Sequence, residues 1–478
     1  MRLEPLKVLS TQEAEKIHKA SLRILENTGF SVASAEALDA FEAGGATVDR
    51  EKHLVKIPAA ITEKALKTAP KRFMLYNRDG SEAFMIGNRV PRCASGHNAV
   101  FVIDETSKVR RESRVEDVEQ FSYISDVLDS IDIVGVPLMP QDVMPQATLI
   151  HAVKALLENT VKPLFYSTES RAVNAAIMDL VRCVTGNDDL SEKPMAISQL
   201  SPTSPLSWTN EAAEAVIDTC RAGVPLTILP EPMSGISAPY SVAGLLTMHN
   251  TEVLCGIVLA QTVRPGTPVI YGSSWTTCDM RTMGPQIGSP ETDILRIAGC
   301  QMADFYGIPS HTTAPNSDSN AHDEQNALER SLSSICAIGA GNDIVMNSGM
   351  FATGLTISLE QLVIDDEING MINRIMRGIE VEDDDIAVEC IDEVGPGGDF
   401  MMEDHTLERL YEGEFYQSSL SIALSYEKWI GQGAPEAHNH AAAAVKKILS
   451  VPNPNKLEGE AVTKMEAVIR AFEEAARS

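Results

Sequence analysis

The sequence is short of positive charge, of aromatic side chains and of any paired-cysteine spacing, and each shortage excludes something. Lysines and arginines number 39 against 67 aspartates and glutamates, a formal net charge of −28. Such an excess of anionic charge repels nucleic acid and anionic membranes, so neither is expected as a partner. A small cation, or a protein with a basic patch, remains compatible. The eight cysteines (Cys93, Cys183, Cys220, Cys255, Cys278, Cys300, Cys336 and Cys390) contain no C-x-x-C pair. They read as free thiols in a reducing compartment, not as a disulfide frame, and no zinc-binding pattern or other metal site is expected. No uninterrupted apolar run reaches the length of a membrane span, and the first ten residues lack a signal h-region. A cytoplasmic protein is expected. Also missing are a nucleophile elbow, an H-E-x-x-H motif and a Walker loop.

What is present is a repeat of short β-rich runs, each followed by a polar or Gly/Pro loop and then a helical pattern. The runs are 99–104, 131–136, 163–167, 195–200, 225–230, 268–273, 309–313 and 344–348. Several begin at or just after proline, which suits a strand start. Helical spacing lies between them at 115–128, 173–184, 211–221, 242–263, 292–306, 325–338 and 358–376. Eight strands alternating with helices predict an α/β fold, a (β/α)8 TIM barrel. The first run is the weakest of the eight, because residues 108–111 would also pair with it as a hairpin. An open doubly wound sheet is the alternative, but it should carry a glycine-rich phosphate loop after an early strand, and none is found. Residues 1–95 read as an N-terminal helical and hairpin segment, with a helix capped at Thr11 and a hairpin about residues 77–80. Residues 96–380 form the barrel, and 381–478 a C-terminal helical extension.

In such a barrel the loops after the strands carry the chemistry. The densest polar cluster there runs from Pro309 to Glu329. Asp318, His322, Asp323 and Gln325 are its candidates, although helix capping explains Asp and Ser here equally well. Glu231 follows the fifth strand. Trp208, Tyr240, Trp275 and Phe351 fall on the same face. Aromatic rings with a nearby carboxylate recognise quaternary ammonium ions, at roughly 0.5–2 kcal/mol per contact. Each ring taken singly is explained better by core packing. His97 precedes the first run and its role is open. His311, inside the seventh strand, reads as a satisfied core histidine, while His438 and His440 form too loose a pattern for a metal site. The face is aromatic and acidic and poor in nucleophiles. A binding protein, a lyase-like barrel doing its own acid–base chemistry, and an enzyme whose partner brings the nucleophile all remain open.

Three segments carry a family resemblance: Ser317 to Gln325, Gly354 to Glu367 and Gly395 to Leu407. Leu25 to Gly29 agrees with them. Across nearly its whole length the chain resembles the trimethylamine methyltransferase superfamily of corrinoid-dependent enzymes. The founding members use pyrrolysine at the barrel centre. Here only standard residues occur, with Asn320 where many relatives carry lysine and Asn347–Ser348 where many carry His–Asp. The resemblance therefore implies the non-pyrrolysine branch, similar to the glycine betaine methyltransferases. It implies demethylation of a quaternary amine: glycine betaine, or proline betaine, carnitine or another N-methylated amine. The methyl would pass to Co(I) of a corrinoid (cobalamin) supplied by a separate cognate corrinoid protein, with no cofactor held tightly by this chain. A homo-oligomer is also expected, with the C-terminal helical segment wrapping the barrel or joining subunits. Arg281, Thr276 and His322 are the possible donors for a betaine carboxylate.

Overall fold

The β-branched and proline-led runs become the staves of a barrel. In the computed structural model, which describes residues 3–104, 107–167 and 170–477, eight strands lie in one sheet. They are β1 (Arg92–Ser95), β2 (Val134–Gly135), β3 (Leu164–Ser167), β4 (Ala196–Leu200), β5 (Leu226–Ile228), β6 (Val269–Ser273), β7 (Ser310–Thr313) and β8 (Ile344–Ser348). Each pairs in parallel with its neighbour in chain order, and β8 returns to pair with β1. The seam between β1 and β2 closes through a bridge from Ala94 to Ile133. A Cβ on Gly135 would sit 2.7 Å from the Ser95 carbonyl oxygen, so the seam can close this tightly only over a glycine.

One expectation is corrected. The run at 99–104 is not a barrel stave. Phe101–Ile103 pairs antiparallel with Arg110–Glu112, the hairpin alternative, and lies parallel to Thr356–Ile357 in a small sheet beside the mouth. The stave is Arg92–Ser95, which begins before residue 96. Its alternation of arginine, cysteine, alanine and serine has weak β propensity, whereas Phe-Val-Ile is strong; local propensity does not say which sheet a strand joins.

One helix follows each strand: α1 (Val115–Val127), α2 (Thr148–Asn159), α3 (Arg171–Thr185), α4 (Asn210–Ala222), α5 (Val242–Val263), α6 (Pro290–Tyr306), α7 (Glu324–Gly339) and α8 (Leu359–Arg377). Helix α2 is absent from the sequence expectations. Most of its side chains from Leu149 to Asn159 are buried. Helix α5 is long and apolar enough to cross a membrane by length and composition, but most of it is buried inside the protein. It lies under the N-terminal helices, which pack on it.

The barrel interior is filled by Ala94, Ile133, Phe165, Ile197, Ile270, Ile344 and Met346. The hairpin of Phe73–Tyr76 and Glu82–Ile86 plugs its N-terminal end with Leu75 and Ile86, and the Tyr76 N–H donates to the carbonyl of Pro194 just before β4. The chemistry is thereby left to the opposite end. In the N-terminal layer the first helix, Thr11–Arg23, is capped by Ser10 and not by Thr11. Ser10 Oγ accepts from the Glu13 N–H, and the Glu13 carboxylate accepts from the Ser10 N–H at 2.8 Å, a reciprocal capping box. At the other end, helices Ala437–Leu449 and Glu460–Arg477 pack back on the barrel, the first on α8 and α1, the second on α3 and α2. The short helices between residues 383 and 431 bury no side chain.

Candidate functional site

The floor of the mouth begins with three rings. Phe165 on β3 points into the barrel, with the His97 ring 5.5 Å away on one side and the His311 ring 5.2 Å away on the other. His97 reaches this place because the backbone spans the tops of two strands: the Gly96 N–H donates to Ser348 and the Asn98 N–H to Val136. His311 is fully buried on β7 and its Nδ1 lies 3.3 Å from the Thr227 hydroxyl on β5. Burial pushes the His97 imidazole down to about 4 and that of His311 to about 3, so both are neutral near pH 7.

Several polar atoms here are buried and have no partner among the described residues. They are His97 Nδ1, Asn98 Oδ1, Gln199 Oε1 and His311 Nε2. Buried polar atoms are normally satisfied, so a convergent set of orphans marks a place where a polar ligand or water belongs. Glu231, in the loop after β5, adds the negative charge. Its side chain is solvent-accessible, yet the surrounding protein desolvates the carboxyl enough to raise its pKa, against the lowering effect of a hydrogen bond from Ser274. Asn316 and Asn347 close the β7–β8 side, joined by a 2.8 Å bond from Asn347 Nδ2 to Asn316 Oδ1. Asn347 holds φ at 141°, a strained value for a residue with a side chain.

This set offers a ring face, neutral imidazoles and one carboxylate. It suits holding an organic cation, and it provides no thiolate: burial raises the thiols of Cys93, Cys220, Cys255 and Cys300. A cavity of about 350 Å³ opens at the barrel's N-terminal end, lined by Phe73, Tyr76, Pro194 and Arg264. It faces the strand starts, where barrels do not place their chemistry.

The four aromatic candidates do not form a cage. Trp208 is wholly buried in a strand that pairs with Phe30–Val32 of the N-terminal layer, and it packs in that core. Trp275 turns outward under the helices, 4.4 Å from the His249 ring and against Gly299. Tyr240 is 65% exposed. Phe351 stays at the rim, on a strand beside β8, with its ring 4.8 Å from His322. Arg281 is 87% exposed and paired to Asp279, away from a carboxylate-clamp role.

The Pro309–Glu329 stretch is largely wiring. Asp323 is the cap of α7, accepting from the Asn326 N–H and the Ser319 hydroxyl. Asp318 accepts the N–H groups of Ile287 and Gly288, each at 3.0 Å, and so ties the loop after β7 to the segment leading into α6. Gln325 donates to Glu329 on the helix surface. Of the sequence candidates, Glu231 lies at the mouth, and Phe351 and His322 form a rim pair. Sequence reasoning left His97 open, took His311 for a satisfied residue and missed Gln199. The available signal was alternation: Gln199 follows Ile197 by two residues and shares its inward face.

Comparison with known proteins agrees with this architecture. The family model for trimethylamine methyltransferase (MTTB) matches residues 1–475. The trimethylamine methyltransferase MttB of Desulfitobacterium hafniense (strain DSM 10664 / DCB-2) is 32% identical over 466 residues, covering 97% of this chain and 94% of the relative. A glycine betaine methyltransferase of Desulfitobacterium hafniense (strain Y51) is 30% identical over 465 residues, covering 97% and 96%. Among solved structures, the monomethylamine methyltransferase MtmB of Methanosarcina barkeri superposes with a TM-score of 0.54 at 12% identity, over 98% of this chain and 88% of that one, a likeness of fold. With a whole-length family match, relatives above 30% identity and a parallel eight-stranded barrel, the chain belongs to the trimethylamine methyltransferase family of methyltransferases.

Proposed function

We propose that this methyltransferase takes a methyl group from a quaternary amine, glycine betaine foremost, and passes it to a corrinoid carried by a separate protein. The observations that carry the reading are a floor of one phenyl ring and two neutral imidazoles, and the desolvated Glu231 carboxyl in the loop after β5 at the same end of the barrel. A quaternary nitrogen carries permanent charge, needs no hydrogen bond, and is held by ring faces and a nearby anion. Once demethylated it leaves as a neutral tertiary amine, so no proton donor is required. The corrinoid's Co(I) would supply the nucleophile that the mouth's own residues do not offer. The chain's part is to bind the cation, orient one N-methyl outward and exclude water. His97 Nδ1 and His311 Nε2, both without a partner among the described residues, would donate to a betaine carboxylate in the tautomer that protonates them.

The relative named as a glycine betaine methyltransferase supports the substrate class. Proline betaine and carnitine share the same quaternary head, and a betaine-binding barrel without catalysis is the remaining alternative. Calorimetric titration with glycine betaine, proline betaine, carnitine and trimethylamine discriminates among the substrates, and methyl transfer to Co(I) separates catalysis from binding alone. Saturable binding of a quaternary betaine, with trimethylamine weaker, is expected. Preference for trimethylamine, or binding of none, would contradict the substrate class.

A further inference from the structure

Three side chains from three distant parts of the chain meet beside the rim. His322 lies in the loop before α7, Glu360 in the first turn of α8, and His438 in the C-terminal helix Ala437–Leu449. One ligand atom from each lies within 4.8 Å of the other two. The two imidazoles are stacked, with ring centres 4.5 Å apart and planes at 24°. Glu360 Oε2 is 2.6 Å from His438 Nε2. The Glu360 side chain is buried, whereas both histidines are partly accessible. His322 Nδ1 is buried and has no partner among the described residues.

From this geometry we propose a divalent transition-metal site, with zinc as the favoured ion, built from His322, Glu360 and His438. Two imidazoles and one carboxylate are a known three-residue set for zinc, which takes a water or another ligand in its fourth position. The accessible side of the two histidines leaves room for that fourth ligand. Lys108 pairs with Glu360 through the other oxygen, Oε1, and so leaves Oε2 to the metal. Binding would exchange the His438–Glu360 hydrogen bond for two metal bonds and add His322, whose Nε2 otherwise lies 3.5 Å from the Ser358 hydroxyl, as the third ligand. The three ligands need to close from within 4.8 Å to the separations that bonds of about 2.0–2.2 Å impose. The rim loop and the C-terminal helix supply two of them, and both are surface elements able to make that shift.

The consequence is a staple. The metal would join the loop after β7, the start of α8 and the C-terminal extension at one point. The Phe351 ring lies against His322, so occupancy would also fix the rim of the mouth. The proposal is independent of the substrate, because it can be read without methyl transfer.

The test uses the full chain, stripped with chelator and loaded with Zn2+ alone, then with Co2+ as a coloured stand-in. One zinc per chain by elemental analysis is expected, with visible Co2+ bands of a four- or five-coordinate site and a rise in Tm that grows with the logarithm of free zinc. His438→Ala and Glu360→Gln should each weaken binding at least tenfold, and His405→Ala, outside the cluster, should not. His438 is partly exposed on a surface helix, so its variant is expected to fold, and circular dichroism checks that it does. Substoichiometric zinc in the wild type, or zinc bound equally by the His438 and Glu360 variants, would overturn the site.

Discussion

Glu231→Gln lowers affinity for a quaternary ammonium substrate by about 30-fold and leaves the melting temperature close to that of the parent. A unit charge pair near 4 Å in a partly screened site is worth about 4 kcal/mol, and roughly half survives desolvation, about 2 kcal/mol or 30-fold in Kd. Glutamine keeps the size and the hydrogen bond to Ser274 while removing the charge. A neutral tert-butyl analogue of the substrate should bind both proteins alike, because it presents the same shape without the cation. The pH dependence carries a sign. Desolvation raises the Glu231 carboxyl above the ordinary carboxylate value, so wild-type affinity should fall as the pH drops through that raised pKa and the carboxylate takes up a proton. The glutamine variant should stay flat there, since His97 and His311 charge only near about 4 and about 3. Equal Kd values for wild type and variant across the whole pH range, neutral and alkaline pH included, would remove Glu231 from the cation site.

The second large effect is on stability. Asp365→Ala should cost about 3–5 kcal/mol, the usual penalty for stranding one member of a buried ion pair. Arg330 and Asp365 are both buried, with Nη1 to Oδ2 at 2.8 Å. The same Oδ2 accepts the Gly349 N–H at 2.7 Å, Oδ1 accepts from Gln361, and Arg330 also donates to the Met350 carbonyl. Burial pushes the Asp365 carboxyl up to about 6 and pulls the Arg330 guanidinium down, so desolvation works against both charges. A pair so placed gives geometry more than stability: it fixes residues 349–350 just ahead of Phe351 at the rim. The double replacement Arg330→Met with Asp365→Leu should accordingly be far less damaging than Asp365→Ala alone. Thermal unfolding of the single and double variants checks this. A single variant within about 1 kcal/mol of wild type, or a double variant no better than the single, would show that the pair is not wired as described.

Much of the barrel was legible in the sequence because its staves are apolar, β-rich and led by proline. Ile344–Ser348 coincides with the expected run, and Val242–Val263 with the expected helix. The stave at Arg92–Ser95 was hidden because its small residues carry no strong strand signal, while the stronger Phe-Val-Ile run beside it serves a different sheet. The site was less legible. A tryptophan that follows a strand can turn to either side, and Trp275 turns outward; Trp208 belongs to a strand that pairs with a segment some 175 residues earlier, as the register of Val32 with Trp208 records. Glu231 was visible as a carboxylate in the right loop. The pairing of His322 with His438 was invisible, because nothing local in either stretch points to the other.

The most direct measurement of the central claim is methyl transfer itself. The protein is mixed with a corrinoid held as Co(I) and with glycine betaine, and the loss of the Co(I) spectrum is followed together with the amine products. The account predicts conversion to methyl-Co(III) with stoichiometric dimethylglycine, slowed by Glu231→Gln chiefly through KM. A Co(I) spectrum unchanged by glycine betaine, proline betaine, carnitine and other quaternary amines, with trimethylamine alone consumed, would contradict it.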